Sequence, residues 1–332
     1  MRALKSSWAA IAAVVALAPA PATAHNQGPH RAHSAGIITY SIEPGDGPPS
    51  VALVSGDGGT SRFLTLPVDG AVVPRLSPNG HRLVTATFSD AGLRPATVRP
   101  DGTGFKLLRV PSLPANTDIS PCTWATNRRL LCSVNNATGS LGGVYSLSST
   151  DRGRAQRLTS SPFPPGPDFG GGDTVGDVSP DRTEFVFMRA KPSPPPDHPE
   201  RDQSGALFIG HLDGSHVRRI TPFGVPNSHD IGVESWSPDG RRILFATEEG
   251  QLKTIHPDGS ELRPLTLQVS DDSFAYAPAW SPSGSRIAFG LARGSDGQAD
   301  IYTANSSGDH VKQITNTGTF DDFPDWGTLR QR

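Results

Sequence analysis

The sequence predicts an all-β fold, and three observations carry that prediction. Glycine and proline together supply 36 and 32 of the 332 residues, well above the roughly 12% of ordinary usage, and punctuate the chain too often for long helices. Asp-Gly recurs between alternating apolar residues, a strong hairpin signal. A hydrophobic residue or Trp followed by Ser-Pro-x-Gly also recurs, so one structural unit is used several times.

Taken in order, the chain opens with an address. Arg2 and Lys5 form a basic start, residues 8–17 are uncharged and mostly apolar, and Ala22-Thr23-Ala24 is a small-residue cleavage signal. Residues 1–24 therefore read as a secretory signal peptide and the mature chain as starting at His25. The apolar run is shorter than the roughly 20 residues that span a bilayer. No Cys at the cleavage point suggests a lipid anchor, and no Arg-Arg pair suggests the twin-arginine route. The expected location is outside the cytoplasm, extracellular or in the periplasm and cell envelope. Residues 25–35 read as a flexible polar lead-in.

The repeats follow. The first pattern reads LSPNG at 76–80, WSPDG at 236–240 and WSPSG at 280–284, with the variants VSPDR at 178–182, WATNRRLLC from Trp124 and PDWG at 324–327. Trp124, Trp236, Trp280 and Trp326 all fall at one phase of it. The second pattern is an apolar strand, a Gly/Asp turn and a strand often ending in Thr. It begins at Val51, Ala96, Val144, Leu207, Leu252 and Ile301. A strand such as RRILFAT at 241–247 lies between the two patterns. Each unit then holds four strands, A to D, the content of a propeller blade, and blades must stack to bury their faces. Residues 36–328 are predicted to form a single six-bladed β-propeller of four-stranded antiparallel blades, with 329–332 as a tail. The chain ends on an A strand at FPDWG and begins on a B strand at 36–40. Pairing of these terminal strands is expected to complete one blade and close the ring.

With those residues named, the repeat resembles the TolB-like propeller repeat, also called PD40 or WD40-like, over nearly all of 36–328. The resemblance implies the propeller alone, without the α/β domain that precedes the propeller in TolB. The same blade type resembles the propeller of prolyl-oligopeptidase-type peptidases.

A–B and C–D connections share one face and are short here; B–C and D–A connections share the other and are long and irregular. Irregular loops on a rigid scaffold are where binding surfaces evolve, so the loop face is the expected binding face. The resemblance implies that A strands line a central channel. Acidic residues recur just before the A strands, and the candidate channel-mouth set is Asp118, Asp173, His229, Asp230, Asp271, Asp272, Asp321 and Asp322, with Asp69 at the same phase. Two readings stay open for them. Converging carboxylates could supply several of the 6–8 oxygens that calcium takes or meet a basic partner segment. Alternatively, each accepts backbone N–H bonds and ties neighbouring blades, a role the resemblance favours. The four repeat tryptophans read as packing residues between blades.

No G-x-S-x-G, H-E-x-x-H or P-loop signature occurs, and no cofactor is called for. The charge balance, 30 Lys+Arg against 32 Asp+Glu, offers no basic excess for a nucleic-acid backbone. The leading expectation is a secreted, monomeric, non-enzymatic binding module for a protein or glycan of the envelope. The alternative is a secreted hydrolase or lyase using channel-mouth carboxylates, with or without a metal ion. Finally, Cys122 and Cys132 are equidistant from a turn centred near Asn127, so they should face each other across an A–B pair, within disulfide reach, in an oxidising compartment.

Overall fold

The structure, a computed structural model, describes residues 35–90, 92–136, 138–150, 154–163, 172–191, 205–226, 233–294 and 298–329. The expected signal peptide, His229, Asp230 and parts of the two proline-rich loops lie outside the described residues. The strands come in order as β1 (Ile37–Glu43), β2 (Ser50–Ser55) and β3 (Arg62–Leu64); β4 (Ala71–Leu76), β5 (Leu83–Ser89), β6 (Gly92–Val98) and β7 (Lys106–Leu107); β8 (Asp118–Thr126), β9 (Arg129–Asn135), β10 (Gly143–Ser148) and β11 (Gln156–Arg157). They continue as β12 (Gly172–Val178), β13 (Glu184–Ala190), β14 (Gly205–His211) and β15 (Arg218–Arg219); β16 (Ser235–Trp236), β17 (Ile243–Ala246), β18 (Leu252–Ile255) and β19 (Arg263–Leu265); β20 (Ser273–Trp280), β21 (Arg286–Arg293), β22 (Ala299–Asn305), β23 (Lys312–Gln313) and β24 (Phe320–Gly327). Among the described residues no helix is long and apolar enough to cross a membrane.

Four sheets hold four antiparallel strands each: β4 to β7, β8 to β11, β12 to β15 and β16 to β19. The fifth holds eight and is mixed. In it, the antiparallel units β20-β21-β22-β23 and β24-β1-β2-β3 are joined by one parallel bridge, Ala299 to Phe320. The sequence predicts separate sheets here. The bridge forms because β23 covers β22 only at Tyr302 and Thr303, leaving the first residue of β22 open to β24. β1 pairs antiparallel with β24 from Ile37↔Gly327 to Glu43↔Phe320, so the two ends of the described chain share one unit.

The repeat grammar has local causes. In each Ser-Pro turn the Ser Oγ accepts a backbone N–H from the following strand: Arg82 to Ser77 at 2.9 Å, Arg242 to Ser237 at 2.9 Å, Arg286 to Ser281 at 3.0 Å. The turn closes by a bond from the N–H of Gly80, Gly240 or Gly284 to that Ser carbonyl, with the glycine at φ near +70°, where a Cβ is disfavoured. The fourth strands are shorter than the sequence suggests, two or three residues, and the Thr that follows explains why they stop. Thr159, Thr221 and Thr315 each accept a third-strand N–H through Oγ1 at 2.9 Å, from Val144, Leu207 and Ile301. The hydroxyl replaces the next ladder bond.

The second strand β17 is a continuous apolar run because both its faces are covered: all four of its residues are buried. The apolar clusters lie between units. Val84 and Leu108 pack with Trp124 and Leu130. Val186 and Leu207 pack with Trp236 and Ile243. Ile301 and Ile314, from the last complete unit, pack with Ile38, Tyr40 and Trp326 of the terminal one. The first strands also touch in sequence, β4 with β8, β8 with β12, β12 with β16, β16 with β20, β20 with β24, and β24 with β4.

Candidate functional site

Antiparallel pairing sends alternate connections to opposite ends. Residues 77–82, 99–105 and 127–128 lie at the tight-turn end; residues 44–49, 65–70 and 317–319 lie at the loop end. At the loop end a cavity of about 490 Å³ is walled by Ile42, Pro48, Pro49, Phe63 and Leu66, with Thr317 and Thr319 at one side. Phe63 is 55% exposed, and Phe88, which neighbours the lining residue Gly70, is 45% exposed. The close approach depends on Gly70: a Cβ there would stand 2.9 Å from Phe88 Cδ2 and 3.2 Å from Pro49 Cδ. A proline-walled recess with two exposed rings offers apolar and stacking contact at little conformational cost.

The candidate carboxylates occupy separate surroundings. Asp118, at the start of β8, accepts the Leu93 N–H at 2.8 Å, tying its unit to the preceding one. The strand opposite is glycine at that point: a Cβ on Gly92, whose φ is +96°, would collide with Asp118 Oδ1. Asp173 is buried and accepts two bonds from Arg189, at 2.6 and 2.7 Å, and the guanidinium lies over the rings of Phe187 and Phe208. Asp321 is fully buried. Its Oδ1 accepts from Thr317 at 2.8 Å and Thr319 at 2.9 Å, while its Oδ2 has no hydrogen-bond partner among the described residues. Asp322 is also buried and caps the Phe323 N–H. Burial pushes the Asp321 carboxyl up, and burial together with Asp321 pushes Asp300 up. Asp69, Asp271 and Asp272 are exposed. Among the described residues no three His, Cys, Asp or Glu side chains are gathered as a metal site would require.

Each repeat tryptophan sits in a cluster shared with a neighbouring unit. Trp124 Nε1 donates to the Arg75 carbonyl at 2.9 Å, one unit back. Cys122 and Cys132 are directly opposed in the β8–β9 register and joined as a disulfide, with Cα atoms 4.1 Å apart.

Sequence reasoning missed a polar group near the axis of the first strands. Its members sit one residue before the Trp phase: Arg75, Asp177, Ser235 and Asp325. Asp325 Oδ2 accepts the Leu76 N–H at 2.7 Å, Asp177 Oδ2 the Trp236 N–H at 2.9 Å, and Ser235 Oγ the Trp280 N–H at 3.0 Å. One unit thereby caps the first strand of another. Arg75 Nη1 lies 3.9 Å from Asp325 Oδ1. Burial pushes Asp177 up to about 6 despite two backbone N–H bonds and the pull of Arg75. Burial also raises Asp325, again against Arg75. Their offset from the tryptophan phase is fixed, but the residue type there changes from repeat to repeat.

No family model matches the chain. A Tol-Pal system protein TolB from Francisella tularensis subsp. mediasiatica is 31% identical over 109 residues, 33% of this chain and 24% of that protein. The structure of a putative TolB from Agrobacterium tumefaciens superposes with a TM-score of 0.59 at 19% identity, covering 89% of this chain and 91% of that one. The chain's fold is that of the TolB-like β-propellers, which it resembles in sequence over a third of its length. The chain spans about a quarter of the length of the curated relatives it matches. Its fold also superposes on puromycin hydrolase, with a TM-score of 0.53 at 16% identity over 86% of this chain and 46% of that one, a likeness of fold alone.

Proposed function

We propose that this TolB-like propeller is a secreted, non-enzymatic binding module that presents its loop face to a protein or glycan of the cell envelope. The observation that carries the reading is the proline-walled cavity at the loop end with Phe63 and Phe88 exposed beside it. The relatives named as Tol-Pal system proteins support an envelope setting, and the sequence pattern of residues 1–24 supports export. The platform is a closed six-bladed ring. The β1–β24 pairing, the cyclic contacts of the first strands and the apolar cluster joining last unit to first support that closure. Among the described candidates, Asp271 and Asp272 are exposed at the same end and offer contact to a basic partner; Asp118 and Asp173 serve the scaffold.

Capture from envelope extract tests the reading. Wild-type protein and an Asp258→Lys control on the turn face should retain the same partner, and Phe63→Glu/Phe88→Glu should lose it while melting normally. Equal capture by all three contradicts the reading.

A further inference from the structure

The turn face carries a second recess, of about 480 Å³, walled by the turns at residues 77–82, 99–101 and 127–128 together with Arg62 and Leu329. Four guanidinium side chains line it, Arg62, Arg82, Arg99 and Arg128, together with His81. They come from three different blades: the end of the first hairpin, both turns of the second blade, and the Asn127-Arg128 turn of the third. None of the four arginines makes an ion pair among the described residues. Arg82 and Arg99 are steadied by one hydroxyl each, Thr97 Oγ1 at 2.8 Å and Thr103 Oγ1 at 3.1 Å, which leaves the other guanidinium N–H groups for a ligand. Among the described residues, Asp101 is the one carboxylate in the wall. This concentration of positive charge stands out in a chain whose formal net charge is -2.

The repeat itself shows where negative charge is left out. At the centre of the Ser-Pro turn, blades four and five carry Asp181 and Asp239. Each accepts from the preceding Ser hydroxyl at 2.6 Å and is held below the usual carboxylate range by it. In the second blade that position is Asn79, which accepts the same Ser hydroxyl at 2.8 Å and the His81 N–H at 3.2 Å. The third blade has Asn127, whose Oδ1 accepts the Asn79 N–H at 3.1 Å and locks the two turns together. Asn79 does the carboxylate's structural work without its charge, and Asn127 fills the same repeat position with an amide that bonds the neighbouring turn; these are the two turns that border the arginines.

We infer that this recess binds a small polyvalent oxyanion, a polyphosphate or polycarboxylate, whose charges are divided among guanidinium forks from three blades. Planar bidentate donors suit both oxyanion types, and the volume suits a small molecule. The site lies on the face opposite the proposed partner surface and does not depend on that reading.

Isothermal titration with inorganic tripolyphosphate and with citrate, at low and at physiological salt, tests it. Saturable binding to one or both is expected, weakening with salt; the stronger probe identifies the phosphate or the carboxylate source. Asn79→Asp/Asn127→Asp should keep the turn bonds and the melting temperature, yet weaken binding roughly tenfold or more by restoring two negative charges. Arg62→Glu/Arg128→Glu should abolish it. Absence of saturable binding to either probe overturns the inference. So does equal affinity in wild type and in the folded asparagine variant.

Discussion

The bond between Cys122 and Cys132 closes a loop with a sequence separation of 10, in the blade that lacks a Ser-Pro turn. For so short a loop the chain-entropy contribution is on the order of 2–3 kcal/mol. Cys122→Ala/Cys132→Ala should therefore melt measurably lower, and the denatured, unreduced wild type should show no titratable thiol; two thiols would contradict the pairing. Asp177 makes a different prediction. Its folded carboxyl titrates near 6 against an ordinary value of 3.8, so between about pH 4 and 6 the folded chain holds a proton that the unfolded chain has released. Stability from this group falls as pH rises through that window, by at most about 1.4 kcal/mol per pH unit, and is level above it. Asp177→Asn should flatten that part of a melting-temperature–pH curve; superimposable curves would contradict the assignment. Both cysteines were legible in the sequence because spacing about a turn fixes a strand register. Asp177, Asp325 and Arg75 were not. Their repeat phase is filled by arginine, threonine, aspartate, serine and alanine, so comparing the repeats with one another does not mark it.

At the scale of elements, the four tryptophans and the Ser-Pro turns located the first strands, and the Asp-Gly turns located the third and fourth. The sequence overestimated the fourth strands because the terminal Thr looks like one more strand residue. In the structure its hydroxyl ends the ladder. Counting acidic residues as lying ahead of the first strands also misplaced Asp321 and Asp322. β24 begins at Phe320, and both are buried within it, so charge reversal there would test the fold rather than a surface. β24 carries the sharpest element-level prediction. Deleting residues 320–332 strips β1 of one of its two strand partners, removes Trp326 from the cluster at the chain's two ends, and opens a sheet edge. The truncated protein should unfold without cooperativity or aggregate, read by calorimetry and light scattering. An unchanged, sharp transition would contradict the shared terminal blade.

For the molecule as a whole, the account turns on the division between a regular turn face and an irregular loop face. The alternation of short and long connections made that division legible, whereas the cavity beside Phe63 depends on residues that meet only when the first blade closes against the second. Residue-specific photo-crosslinking addresses the division most directly. A photoreactive side chain is placed at Phe63, at Asp272 and, on the opposite face, at Asp258, and the protein is irradiated in envelope extract. The account predicts a common crosslinked partner from Phe63 and Asp272 and none from Asp258. A partner captured from Asp258 alone would contradict it.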